Sequence, residues 1–267
     1  MKSFPYPEYY AVAQAARALG RPVRWIADRS ESMLSDNGGR DLHSVAEGAF
    51  DESFRLIGYR VHTVSNLGAY NSGFGQNIQS ELALKVLTGT YDVQDAFFSV
   101  KGVYTNTTQV DAYRGAGRPE AIYVLERLMD RAARDLGLDP WELRRRNFIA
   151  PSAFPYVTAS KETYDVGEFA RVMDRAAAEA DIAGFPARRA AAEARGRLRG
   201  LGLCYYIESI LGDPSETTKV EFAEDGRVNL YVGTQSNGQG HETVFAQILN
   251  EFTGIPIGEV RFVQGDS

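Results

Sequence analysis

Residues 234–241, Thr-Gln-Ser-Asn-Gly-Gln-Gly-His, place amide side chains, glycines and a histidine directly before an apolar run. Gln235, Asn237 and Gln239 offer donors and acceptors, and Gly238 and Gly240 let the backbone approach a bound group closely. A helix opening at His241 would point free N–H groups at the same place, which suits phosphate or another anion. Familiar short motifs fail here. Thr234 stands where a nucleophile elbow needs its first glycine, and Phe245 replaces the second histidine of a zinc-protease helix. A Ser236–His241 hydrolase pair has no acid partner suggested by spacing. Chemistry alone leaves two readings open, an anion or cofactor site and a solvated glycine-rich turn.

A second constellation lies at residues 112–120, Ala-Tyr-Arg-Gly-Ala-Gly-Arg-Pro-Glu. Arg114 and Arg118 flank a Gly115-Ala116-Gly117 turn that runs into a helix beginning at Pro119. Two guanidiniums beside open helix N–H groups favour an anion or a polarised oxygen. The plainer alternative is a loop whose arginines make surface ion pairs. Cys204 is the only cysteine, so this chain alone builds no disulfide, zinc cluster or iron–sulfur cluster. Its apolar strand predicts a buried, inert thiol. His43 and His62 fall at strand-like positions and read as structural, and the tyrosines of residues 4–10 read as core.

The elements that must position these loops follow from periodicity. Helices are expected over 7–19, 78–87, 119–136, 139–148 and 241–253, with two more between 165 and 199. Strands are expected at 23–27, at 95–109, in a hairpin over 41–67 turning at 51–53, and in residues 200–209. A second hairpin turns at Asp225-Gly226, and a last strand covers 257–263. Residues 150–160 make the best linker, and the sequence shows no internal repeat. The expectation is an α+β chain in two lobes of mixed sheets with packed helices, the second lobe incomplete.

With 267 residues, 44% hydrophobic and 24% charged, the chain has the composition of a folded globular protein. A net charge of −6 gives no global field for nucleic acid or anionic lipid. No apolar run reaches membrane-spanning length, Met1–Pro5 lacks a signal-peptide core, and a cytoplasmic location is expected.

Taken together, residues 112–149 and 233–256 resemble the molybdenum-binding large subunit of the xanthine dehydrogenase, aldehyde oxidase and carbon monoxide dehydrogenase family. The likeness extends to residues 21–41, to Ser65–Tyr70 and to the closing Gly-Asp-Ser. It implies a first cofactor domain over 1–150 and the start of a second over 151–267. It further implies a molybdenum–molybdopterin cofactor, often in a cytosine dinucleotide form, whose pterin supplies the metal's main ligands, so no protein metal ligand is expected.

On this likeness Asn237, Gly238 and Gln239 contact the pterin or its phosphate, with Gln235, Gly240 and His241 close by and Asp266 and Ser267 toward the nucleotide. Arg114 stands beside the metal centre, with Gly115 and Ala116 at the cofactor loop. The implied reaction is hydroxylation with water-derived oxygen, with electrons leaving to a 2Fe-2S small subunit and an FAD medium subunit. The implied assembly is a homodimer of heterotrimers acting on a small molecule.

Three departures narrow the substrate. Carbon monoxide dehydrogenases carry cysteine where Gly115 stands, and xanthine-oxidising members carry phenylalanine where Ala116 stands. Ser3 takes the place of an acidic residue. Together they favour an aldehyde or an N-heterocycle. The likeness also places a glycine loop before Met1 and a general-base glutamate beyond Ser267, so a fragment inactive by itself is expected. The alternative is a catalytically dead interaction module that keeps the fold.

Overall fold

Alternation in residues 56–65 builds the first sheet. The computed structural model describes residues 6–209, 212, 215–236 and 238–264. Its contacts divide the chain into two compact units, Met1–Ser209 and Ile210–Ser267.

In the first unit, helix α1 (Pro7–Leu19) stops at Gly20, whose φ of 61° ends the helix in a left-handed cap. Helix α2 (Arg29–Ser35) follows, opened by a reciprocal Asp28–Glu31 capping box. Strands β1 (Leu42–Phe50) and β2 (Leu56–Gly68) form the expected hairpin. Their register shifts beside Ala49 and Phe50, so both Leu56 and Tyr59 point inward with Val61, Thr63 and Ser65. Strand β3 (Asp95–Tyr104) lies parallel to β2, giving the order β1-β2-β3. The crossover between them, residues 69–94, holds helix α3 (Gly75–Asn77) and a π-helical turn at Ile78–Leu82. The regular helix expected over 78–87 is thus replaced by a broken one.

Helix α4 (Arg118–Asp135) buries Ala121, Ile122, Leu125, Met129 and Ala133, a stripe at three- and four-residue spacing. Helix α5 (Pro140–Asn147) is capped by Asp139, which accepts from the Trp141 and Glu142 N–H groups. A fully buried Arg144 ties these helices together. It donates to Glu126 Oε2 and to Asp130 Oδ1, both at 2.9 Å. Glu126 also accepts from the Tyr91 hydroxyl and from the Tyr205 N–H.

Residues 151–209 close on this same core. After a 3-10 turn at Pro151–Ala153 come β4 (Tyr156–Val157), β5 (Thr163–Tyr164), α6 (Phe169–Glu179) and α7 (Phe185–Glu193). Tyr156, Tyr164, Phe169 and Met173 bury beside Leu56, Tyr91 and Leu143. The contact boundary therefore falls after Ser209, later than the linker expected at 150–160, because those aromatics are anchored.

The second unit repeats the topology of the first sheet without repeating its sequence. Strands β6 (Thr218–Phe222) and β7 (Val228–Val232) form a hairpin around Gly226. Helix α8 (His241–Thr253) then leads through a 3-10 turn at Ile257–Glu259 to β8 (Val260–Gln264), parallel to β7. Val228, Leu230, Val232 and Ala246 are its buried apolar residues among those described, and Phe222 and Phe252 are exposed. Helices and open sheets in both units make an α+β fold.

Three expectations are corrected. Residues 23–27 form no strand, because they have no partner to complete a ladder. The segment 200–209 is extended but unpaired. Leu203, Tyr205 and Ile207 lean on the core while Cys204 is exposed, on the outward phase of the alternation. Tyr9 and Tyr10 are exposed, and α1 buries no residue. No helix among the described residues is long and apolar enough to cross a membrane.

Candidate functional site: two glycine loops

The arginine-bearing loop joins the end of a parallel strand region to α4. Gly115, Ala116 and Gly117 all have positive φ, at 86°, 26° and 91°. For Ala116 this is a strained conformation, of a kind concentrated at functional sites. Gly117 is required for a second reason. A Cβ there would sit 2.1 Å from the Ile78 carbonyl oxygen and 2.9 Å from the Ala83 nitrogen. Between Gly117 and the π-helical turn there is no room for a side chain.

The two arginines behave differently. Arg118 is buried and committed, donating to Glu208 Oε1 at 2.8 Å and to the Ala116 carbonyl at 2.9 Å. Arg114 is exposed, and among the described residues its guanidinium has no partner. Its backbone carbonyl, however, accepts from the Arg40 guanidinium. The open N–H groups expected at the start of α4 are partly taken, since Glu120 accepts from the Gly117 N–H at 2.9 Å. Positive character at this loop therefore comes from the Arg114 side chain rather than from the helix end.

The amide-rich loop follows β7 and opens α8. Gly240, at φ 78°, is the left-handed N-cap, and no side chain caps the helix. A Cβ on Gly238 or Gly240 would meet nothing within 4 Å, so these glycines border open space. They serve the backbone turn and leave room for a ligand. Gln239 Nε2 donates to the Gln235 carbonyl at 3.3 Å, and the Ser236 N–H donates to Gln264 Oε1 at 2.8 Å. The His241 ring lies tilted against Phe245, centroids 4.9 Å apart, with its Nδ1 3.5 Å from Thr234 Oγ1. No Ser236–His241 hydrogen bond exists among the described residues. Glu242 lies in the first turn of α8 and offsets part of the helix dipole there.

The predicted site residues within the described part thus fall on two loops that belong to different units. Arg114, Gly115 and Ala116 share the first, and Gln235, Gly238, Gln239, Gly240 and His241 share the second. Asn237, Asp266 and Ser267, like Ser3, lie outside the described residues. Sequence reasoning assigned no role to Arg40 or Glu120. Glu120 had a signal, standing three residues after Gly117 as in a capping box. Arg40, 74 residues from its partner Arg114, had none. Among the described residues no group of three His, Cys, Asp or Glu side chains could hold a metal ion.

Taken each by itself, the first loop presents an exposed guanidinium and the second a glycine–amide turn bordering open space, and each suits an anionic group. Residues 1–148 and 175–267 each match the molybdopterin cofactor-binding domain family, and the chain belongs to it, within the molybdenum-binding large subunits of the xanthine dehydrogenase, aldehyde oxidase and carbon monoxide dehydrogenase type.

The carbon monoxide dehydrogenase large chain of Hydrogenophaga pseudoflava is 32% identical over 278 residues, covering 98% of this chain and 35% of that one. The nicotine 6-hydroxylase large subunit of Paenarthrobacter nicotinovorans is 29% identical over 282 residues, covering 100% and 34%. The structure of quinoline 2-oxidoreductase from Pseudomonas putida 86 superposes with a TM-score of 0.81 at 31% identity, covering 97% of this chain and 35% of that one. The chain spans about a third of the length of the curated relatives it matches.

Proposed function

We propose that this chain is the cofactor-holding part of a molybdenum hydroxylase large subunit that oxidises an aldehyde or an N-heterocycle. It would pass the electrons to 2Fe-2S and FAD groups on separate small and medium subunits, in a cytoplasmic homodimer of heterotrimers. The domains divide in sequence at 150/151.

One observation carries the reading. Of two arginines flanking one glycine turn, Arg118 is consumed by Glu208, while Arg114, on an anchored backbone, has a guanidinium with no partner among the described residues. An unpaired guanidinium held in place is suited to a negatively charged guest. Gln235, Asn237, Gly238, Gln239, Gly240 and His241 would hold the pterin and its phosphate through side-chain amides and the N–H groups opening α8. Asp266 and Ser267 would face the nucleotide of a cytosine dinucleotide form. When bound, the molybdenum–pterin supplies two-electron oxidation of a carbon with oxygen drawn from water. Arg114 then favours negative charge beside that centre.

Position 115 supports the substrate class. A Cβ on Gly115 would lie 2.6 Å from the Pro119 ring, so a cysteine there would require the turn to move. That argues against carbon monoxide as substrate. Ala116 puts no aromatic ring at that position for stacking a purine. Two relatives are named for nicotine and quinoline, both N-heterocycles.

The test is molybdenum and pterin analysis of the protein purified with its companion subunits, followed by dye reduction with aldehydes and N-heterocycles. Arg114→Ala should lower retained pterin at least about tenfold while leaving thermal stability within about 0.5 kcal/mol, as for an exposed site. Protein containing neither molybdenum nor pterin would end the reading.

A further inference from the structure

The Arg114 turn does not hold itself. Three consecutive residues at positive φ, one of them an alanine, form a strained path, and something must fix it. The segment Asn37–Arg40 runs alongside. The Gly38 N–H donates to the Gln109 carbonyl at 2.9 Å, and the Asp111 N–H donates back to the Gly38 carbonyl at 3.1 Å. Gln109 Nε2 donates to Asn37 Oδ1 at 2.8 Å. These bonds bring Arg40 under the turn.

Arg40 then makes three contacts at once. One guanidinium nitrogen donates to the Arg114 carbonyl, Nε pairs with Glu120 Oε1 at 3.3 Å, and the plane lies over the Tyr113 ring at 5.1 Å. Glu120, whose side chain is 7% exposed, accepts from the Gly117 N–H through Oε2 and from Gln79 Nε2 at 3.3 Å. Tyr113, Arg114 and Gly117 are all pinned, and the Arg114 side chain is left out of the network.

We propose that Arg40 and Glu120 are positioning residues: a two-residue clamp that fixes the backbone of the Arg114 turn and so aims the Arg114 guanidinium at the cofactor. The functional meaning rests on the cofactor reading above; the clamp itself is a property of the chain without cofactor. Its chemistry needs a planar fork. Lysine offers one ammonium on a flexible stem and cannot serve a carbonyl, a carboxylate and a ring face together.

The experiment uses the full chain without cofactor and hydrogen exchange at the Gly117 amide, with β2 amides as internal reference. Arg40→Ala and Glu120→Ala should each speed Gly117 exchange at least about tenfold and leave β2 unchanged. Glu120→Gln keeps an acceptor for Gly117, so that amide should stay protected while the Arg40 pair is lost. Arg40→Lys should fall between alanine and arginine. In the cofactor-loaded complex, Arg40→Lys should lower kcat with molybdenum content unchanged, about 100-fold if the turn moves by ~1 Å. Unchanged Gly117 exchange in both alanine variants, or Arg40→Lys matching the parent in exchange and kcat, would overturn the clamp. Faster exchange in a chain that never takes up pterin would keep the clamp and remove the cofactor reading.

Discussion

Gly117→Ala separates two costs that usually arrive together. Gly117 sits at the start of α4 with φ 91°, and an added methyl would press to 2.1 Å of the Ile78 carbonyl. Gly137 ends the same helix with φ 70°, and a methyl there meets nothing within 4 Å. Both alanine variants carry the left-handed penalty, about 1–2 kcal/mol. Only Gly117→Ala adds overpacking, about 1–3 kcal/mol, for a total of about 2–5. At about 2–4 °C per kcal/mol for a unit of this size, Gly137→Ala should lower Tm by about 4 °C and Gly117→Ala by about 10 °C. Trp141 fluorescence in a Trp25→Phe background follows the first unit's melt. Since the Gly117 methyl is relieved only by moving the turn, pterin retention should fall in Gly117→Ala and stay normal in Gly137→Ala. Equal Tm losses in the two variants would refute the steric argument.

Three further outcomes are expected. Arg144→Met strands the buried Glu126 carboxylate and should cost about 3–5 kcal/mol in denaturant unfolding; adding Glu126→Gln should recover a large part of that loss. Arg118→Ala, which breaks the Glu208 and Ala116 contacts, should destabilise by about 1–3 kcal/mol in the same assay where Arg114→Ala has no effect. Burial, with the Glu162 charge adding to it, pushes the Tyr164 phenol up to about 12. An unfolded tyrosine ionises near 10, so the unfolded state loses its proton first and stability should fall between pH 10 and 12. Urea unfolding of Tyr164→Phe, which has no phenol, should show a shallower fall over that window.

Local pattern was legible where the chain itself decides the structure. Gly20 and Gly254 terminate α1 and α8 with left-handed caps, and Asp139-Pro140 starts α5, all signals within a few residues. Alternation also gave the hairpin of β1 and β2. It failed for residues 23–27 and 200–209, because a strand needs a partner and no local signal supplies one. In the second case the backbone groups go instead to charges, the Tyr205 N–H to Glu126 and the Leu203 carbonyl to Arg144. The candidate site divides the same way. Arg114 and the amide loop stood out as candidates by residue type, with a solvated turn and surface ion pairs as the open alternatives. Arg40 did not, since its partners are distant in sequence and its own neighbours are glycines and acids. Residue type alone does not tell Arg114 from Arg118, and only the family resemblance singled out Arg114; their contacts are set apart by Glu208, 90 residues from Arg118.

The shared plan of the two sheets has a consequence for how such a chain can change. In each, a hairpin hands its middle strand to a crossover, residues 69–94 after β2 and 233–259 after β7, and the third strand returns parallel. The ladder asks only for alternation, which many residues satisfy, so the framework tolerates drift. The bend leaving the middle strand asks for particular backbone angles and particular donors. Where that bend also carries the candidate amide groups, as it does after β7, substitution there changes those groups while the ladder beside it is kept.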